Sequence, residues 1–183
     1  MSYRISKAIL KFIFGKYTVD LSWPVAGKTV NKKRVKYEIQ MPGINSRDIS
    51  RTLWQLRRTK LLEFREEGKM VKIVLTESGR KRVLSYQLDE MVIKEPKRWD
   101  GDWHIVVFDI PEKKKAARNA LAEKMRQLGL VLFQKSVWIY PYSCKDEIDF
   151  IAKVFEVEKY VHYIETKSIT NDDLLRSRFG FKV

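Results

Sequence analysis

The chain has 183 residues, of which 44% are hydrophobic and 33% charged, and its formal net charge is +14. This composition is globular rather than disordered, and the length allows one large domain or two small ones. No apolar run is long enough to span a bilayer, and Cys144, the sole cysteine, leaves no internal disulfide or cysteine-based zinc site, which suits a reducing cytoplasm.

The first predicted element is a helix over residues 4–15, with Ile5, Ile9, Phe12 and Ile13 at helical spacing. Lys11 interrupts its apolar stretch "AILKFIFG" and no small-residue cleavage site follows, so it reads as a helix and not as a signal peptide. From Lys16 to Gln40 the pattern is poor. "NKKRVKYEIQ" suits a helix, "YTVDLSWPVAGKTV" suits a strand, and the region carries no assignment.

"NSRDISRTLWQLRRTKLL" (Asn45–Leu62) predicts a second helix. Asn45 or Ser46 can cap it, and Asp48 in the first turn complements the helix dipole. Ile49, Leu53 and Leu56 share one face, which should be buried. Arg47, Arg51, Gln55 and Arg58 share another, with no acid among them. Guanidinium forks pair with guanine edges or phosphates, and a Gln amide can pair with adenine, so this face can lie in a major groove. Ser50, Arg57 and Lys60 lie beside it.

"LLEFREEGKMVKIVLT" alternates around "EEGK" and predicts a β-hairpin with Gly68 in its turn. Lys69 and Lys72 add two cations there. Thr76 can cap the next helix, whose inward residues would be Val83, Leu84, Leu88 and Met91. Helix, basic-faced helix, hairpin, helix is the order of a winged helix-turn-helix. "SRDISRTLWQLRRTKLLEF" and "VLTESGRKRVL" carry that resemblance. It makes Arg47, Ser50, Arg51, Gln55, Arg57, Arg58, Lys60, Lys69 and Lys72 the candidate DNA contacts.

"IKEPKRWDGDW" (Ile93–Trp103) reads as a linker, because Pro96, Gly101 and several charges separate two periodic regions. The charge balance changes at the same place. Residues 1–98 hold 23 Lys/Arg against 10 Asp/Glu, while residues 99–183 hold 14 against 13. A strongly basic half joined to a nearly neutral one implies a polyanion-binding module with a partner domain. Nucleic acid is the expected polyanion. A membrane surface is disfavoured, since no basic amphipathic helix stands out.

Beyond the linker, "WHIVVFDI" is apolar on both faces and should be a central strand. A helix should begin at Pro111, bury Ala117, Leu121, Met125 and Leu128, and end at Gly129. "LVLFQKSVWIYP" should be strand, broken near Gln134–Ser136 into a pair. "SCKDEIDFIAKVF" should be a helix capped by Ser143, and "KYVHYIET" a last strand. The order βαββαβ predicts a ferredoxin-like sandwich.

The stretch "WHIVVFDIPEKKKAARNALAEKMRQLGLVLFQKSVWIYPYSCKDEIDFI" resembles the central domain of the PaaX-like regulators, the phenylacetic-acid-degradation repressor family. That domain is itself similar to the small ferredoxin-like subunit of CRISPR adaptation complexes. "DIP", the basic helix start, the helix end at Leu128–Gly129 and "QKSVW" carry the likeness, over most of residues 100–165. The repressor family also places a winged helix-turn-helix in front. Its members usually continue further than Val183, and no small-molecule effector is assigned here.

The resemblance gives Asp109 two readings. In the CRISPR-associated family the acid at this position is a proposed Mg²⁺ ligand, with two copies facing across a dimer axis. Otherwise Asp109 accepts backbone N–H groups at a helix beginning at Pro111. One carboxylate is thin coordination for a hard cation, so the helix-start role is favoured. His104 and His162 are expected to be packed or surface residues.

The expected protein is therefore α+β. A winged helix-turn-helix over residues 1–92 and a linker over 93–102 precede a ferredoxin-like domain over 103–183 that supplies homodimerisation. Its expected role is DNA-binding transcriptional repression on double-stranded DNA in the cytoplasm, without a cofactor. The alternative is a Mg-dependent nuclease or CRISPR-adaptation subunit carrying an added winged helix, with Asp109 as its metal ligand and catalytic residue.

Overall fold

The computed structural model describes residues 2–16, 19–21, 41, 43–67 and 70–181. They fall into two compact units, Met1–Asp89 and Glu90–Val183. Among the described residues no helix is long and apolar enough to cross a membrane.

In the first unit, helix α1 (Ser2–Lys16) is followed by a short strand β1 (Val19–Leu21). Helix α2 (Ser46–Arg58) then leads into the hairpin strands β2 (Leu62–Glu67) and β3 (Met70–Leu75), and helix α3 (Glu77–Glu90) closes the unit. The three strands are antiparallel in the order β1-β3-β2. Asn45 caps α2: its side chain accepts from the Asp48 N–H at 2.9 Å, and its amide donates to the Asp48 carboxylate at 2.7 Å. The core joins Ile9, Leu10 and Ile13 of α1 to Ile49, Leu53 and Leu56 of α2, with Leu62, Ile73 and Val83. Thus the apolar stripes of both helices face the core at the spacing that the sequence shows.

Helix α3 differs from its expected packing. Its buried residues are Gly79, Val83 and Tyr86, while Leu84 and Leu88 are only half-buried. The reason is a close approach at the helix start. Thr76 caps α3 by accepting from the Gly79 N–H at 3.0 Å, and its hydroxyl donates to the Lys60 carbonyl at 2.6 Å. The Thr76 N–H donates to the Leu61 carbonyl at 3.2 Å. These bonds pull the first turn of α3 onto the backbone that leaves α2, and only a glycine fits between them.

In the second unit, strand β4 (Trp103–Phe108) precedes helix α4 (Lys115–Gln127), strands β5 (Val131–Gln134) and β6 (Val137–Tyr140), helix α5 (Lys145–Val154), strand β7 (Val161–Thr166) and helix α6 (Asp172–Arg178). The sheet order is β5-β6-β4-β7, all antiparallel, so β4 is central. Strands interleaved in this way from a βαββαβ chain make the split-βαβ, ferredoxin-like topology. Gly129, at φ 92°, ends α4 in the left-handed region that favours glycine.

Two helix starts are corrected. Helix α4 begins at Lys115 and not at Pro111, because a single 3-10 turn, Glu112–Lys114, intervenes. Cys144 and not Ser143 occupies the cap position of α5, and it makes no side-chain cap bond there. Its backbone N–H donates to the Tyr163 hydroxyl at 3.1 Å instead.

The second face of the sheet has its own cover, which local periodicity does not announce. Leu175 of α6 packs on Trp103 and Ile139, with Trp99, Ile105, Ile169 and Phe179 around them. The Trp103 indole N–H donates to the Asp172 carboxylate at 2.6 Å, which ties α6 to β4.

Candidate nucleic-acid interface

The basic stripe lies on helix α2, opposite the face that carries Ile49, Leu53 and Leu56 into the core. Arg47, Arg51, Gln55, Arg57 and Arg58 are all exposed, and Ser50 is half-buried. Arg51, Gln55, Arg57 and Arg58 line one open groove together with Trp54. The sequence reading named the four polar residues but passed over Trp54.

Trp54 matters because it organises Arg57. The Trp54 and Phe64 rings meet edge to face, with centroids 5.3 Å apart. The Arg57 guanidinium lies 5.1 Å from the Trp54 ring centre and 5.0 Å from that of Phe64. A guanidinium held on two ring faces loses less rotamer freedom on binding a phosphate than a free one does. The available signal was the three-residue spacing of Trp54 and Arg57; the Phe64 ring arrives only through the β2 strand.

Arg51 is not bare. Its guanidinium sits 3.5 Å from the Asp48 carboxylate, a solvent-exposed pair. Such pairs contribute about 0–1 kcal/mol, so a phosphate can displace Asp48. Lys60 follows the helix in a left-handed conformation, φ 57°, and is exposed. Lys72 stands on β3 opposite Arg65 of β2 and is half-buried. Neither lines the groove that Arg51 and Arg58 share. Lys69 lies outside the described residues.

Asp109 is in the second unit, at the end of β4. Its backbone N–H donates to the Tyr160 carbonyl at 3.0 Å, and its side chain is exposed. The helix-start role does not hold. Pro111 takes the cap position of the 3-10 turn with no side-chain cap bond, and the turn displaces the free N–H groups of α4 downstream of Asp109. Glu112, three residues further along the chain, is already engaged, at 3.0 Å from both Lys115 and Arg118. Hydrogen bonds from Lys115 and then Arg118 hold its carboxyl below the usual carboxylate range. Among the described residues, no group of three or more potential ligands could hold a metal ion.

The basic start of α4 is likewise taken up locally. The Lys114 ammonium donates to the Glu156 carbonyl at 2.6 Å, and Arg118 reaches Glu112. His162 is exposed, whereas His104 is buried and shares a 2.9 Å hydrogen bond with the Tyr163 hydroxyl. Burial pushes the neighbouring Cys144 thiol up to about 12, which disfavours the thiolate.

A basic-faced helix beside an antiparallel hairpin, in a chain whose other unit is a ferredoxin-like α/β domain, makes this a mixed α/β protein. Residues 96–176 match the family model of the PaaX protein central Cas2-like domain. That stretch is therefore similar to the Cas2-like central domain of PaaX proteins. A search of the curated proteins finds no match.

Proposed function

We propose that this protein is a transcriptional repressor of the PaaX type that binds double-stranded DNA as a homodimer in the cytoplasm. The observation that carries the reading is the groove of Arg51, Gln55, Arg57 and Arg58 on the solvent side of α2. Its setting supports the reading. The β1-β3-β2 sheet and the α2–hairpin succession suit a winged helix-turn-helix, with α2 entering the major groove and the hairpin as the wing. The net +13 on residues 1–98 suits a polyanion. The test is a fluorescence-anisotropy titration of labelled duplex DNA with the full chain at two salt concentrations. Binding that weakens steeply with salt is expected, and no binding at low salt would remove the reading.

The second unit would supply the dimer. Ile164, on the edge strand β7 and opposite Ile105, is 47% exposed, and Leu132 and Phe133 are exposed on the other edge strand. A second copy would cover such apolar surface. Sedimentation equilibrium should therefore show a dimer for the wild type and a shift towards monomer for Ile164→Glu. A monomeric wild type at micromolar concentration would end the dimer proposal.

The nuclease alternative is weaker, because it needs Asp109 from two copies: among the described residues no group of three or more potential ligands lies together. Asp109→Asn should leave both DNA affinity and stability unchanged, within about 0.5 kcal/mol, since the side chain is exposed and caps nothing. Mn²⁺ should not raise the melting temperature of the wild type. A Mn²⁺-dependent rise, or cleavage of nucleic acid, that disappears in Asp109→Asn would restore the alternative.

A further inference from the structure

The three arginines of the groove on α2 differ in their surroundings. Arg57 lies over the Trp54 and Phe64 rings, and both Arg57 and Arg58 belong to the last turn of the helix. Arg51 lies nearer the start of α2. Among the described residues, it alone of the three pairs with an acid. That acid is Asp48, three residues earlier in the first turn, so the two side chains are neighbours on the helix surface.

The two oxygens of Asp48 have separate partners. Oδ2 accepts from the Asn45 side-chain amide at 2.7 Å, and Oδ1 faces Arg51 Nη1 at 3.5 Å. Asn45 is itself fixed, because its Oδ1 accepts from the Asp48 backbone N–H at 2.9 Å. The carboxylate is thus held on the first turn, and its side chain is 31% exposed against 79% for Arg51. The acid is the fixed member of the pair, and the guanidinium is the one that reaches outward.

A guanidinium presents five N–H donors in a planar fork. With Nη1 turned to Asp48, the edge formed by Nε and Nη2 stays open. That edge matches the O6 and N7 acceptors of guanine, a target without net charge. A phosphate at Arg51 meets a different field. Even when it displaces Asp48 from the guanidinium, the Asn45 bond keeps the carboxylate close by, and the two anions repel. The N-terminal residues of a recognition helix are also the ones that reach base edges. Arg57 and Arg58 can take phosphate without that repulsion.

We propose that Asp48 is a positioning residue that sets the base specificity of α2. It turns Arg51 towards one guanine and away from phosphate, while Arg57 and Arg58 take the DNA backbone. The inference rests on the reading of α2 as the DNA-binding helix.

The test is selection of duplexes from a randomised pool by the full chain, as wild type, Asp48→Asn and Arg51→Ala. Anisotropy titrations follow at two salt concentrations, on the selected duplex and on one with the chosen G·C pair replaced by A·T. The wild type should select a guanine that Arg51→Ala does not, and should prefer that duplex by about tenfold or more. Asp48→Asn keeps the size of the side chain and an oxygen for Asn45, and removes the charge. It should cut the preference to about twofold, tighten binding to the replaced duplex, and steepen the slope of log affinity against log salt by about 0.9, the worth of one more phosphate contact. A merely structural Asp48 would instead weaken both duplexes alike and leave the slope. In the Arg51→Ala background, Asp48→Asn should leave the base preference unaltered, since it acts through Arg51. The proposal is overturned if Asp48→Asn keeps the preference and the slope of the wild type, or weakens both duplexes equally. A wild type that binds no duplex at low salt would remove the DNA reading itself, and this inference with it.

Discussion

Replacing Arg51, Arg57 and Arg58 together by alanine is expected to lower affinity for duplex DNA by about a hundredfold or more at moderate salt. Each guanidinium lines the same groove and is exposed, so each can reach a phosphate or a base edge without moving the fold. If all three neutralise phosphates, the slope of log affinity against log salt should fall by about 2.7 in magnitude. A smaller change in slope with a lost base preference would mean that at least one of them reads a base. Arg57 should contribute most, because its guanidinium is held over Trp54 and Phe64 before DNA arrives. Stability should change little: the pair of Arg51 with Asp48 is exposed, and the contact of Arg57 with the rings is worth about 0.5–1 kcal/mol. Anisotropy titrations at two salt concentrations, with circular dichroism to confirm folding, decide the matter. Unchanged affinity and slope would mean that α2 is not the DNA-binding element.

Gly79→Ala is expected to destabilise the protein by about 3 kcal/mol. The sign is the informative part. In an ordinary helix interior, alanine is about 1 kcal/mol more favourable than glycine. Here an added Cβ would overlap the Leu61 carbonyl oxygen and would stand 3.1 Å from both the Leu61 carbonyl carbon and Leu75 Cδ2. The obstacle is backbone and cannot rotate away. It is also pinned, since the Leu61 carbonyl accepts from the Thr76 N–H and the Leu61 N–H donates to the Leu56 carbonyl at 2.9 Å. Helix α3 would have to lift from the α2–β2 corner, losing the burial of Val83 and Tyr86. Urea denaturation read by circular dichroism should show the loss as a lower midpoint. A more stable Gly79→Ala would show that α3 does not pack on that corner.

The two outcomes depend on different levels of organisation. The stripe on α2 was legible in the sequence because a helix places residues three and four apart on one face, whatever surrounds it. For the same reason the Asn45 cap, the end of α4 at Gly129, the β2–β3 hairpin and the central position of β4 could be read from neighbouring residues alone. The family likeness over the second unit was legible too, since it rests on a contiguous stretch. Gly79 was not. A glycine inside a helical pattern reads as a weak point until Leu61, eighteen positions earlier, is brought against it. Asp109 was misread because Pro111 looks like a helix start, and only the folded chain shows the 3-10 turn that delays α4. The ring cluster of Tyr140, Tyr142, Phe179 and Phe181 lay furthest from view. Its rings come from the end of β6 and the segment after α6, and no periodicity links residues so far apart in the chain. Local backbone geometry and side-chain spacing act over a few residues, so the sequence by itself determined the elements and their faces. Contacts between distant segments depend on how those faces pack, and that packing alone decided the close approach at Gly79 and the ring cluster around Tyr140.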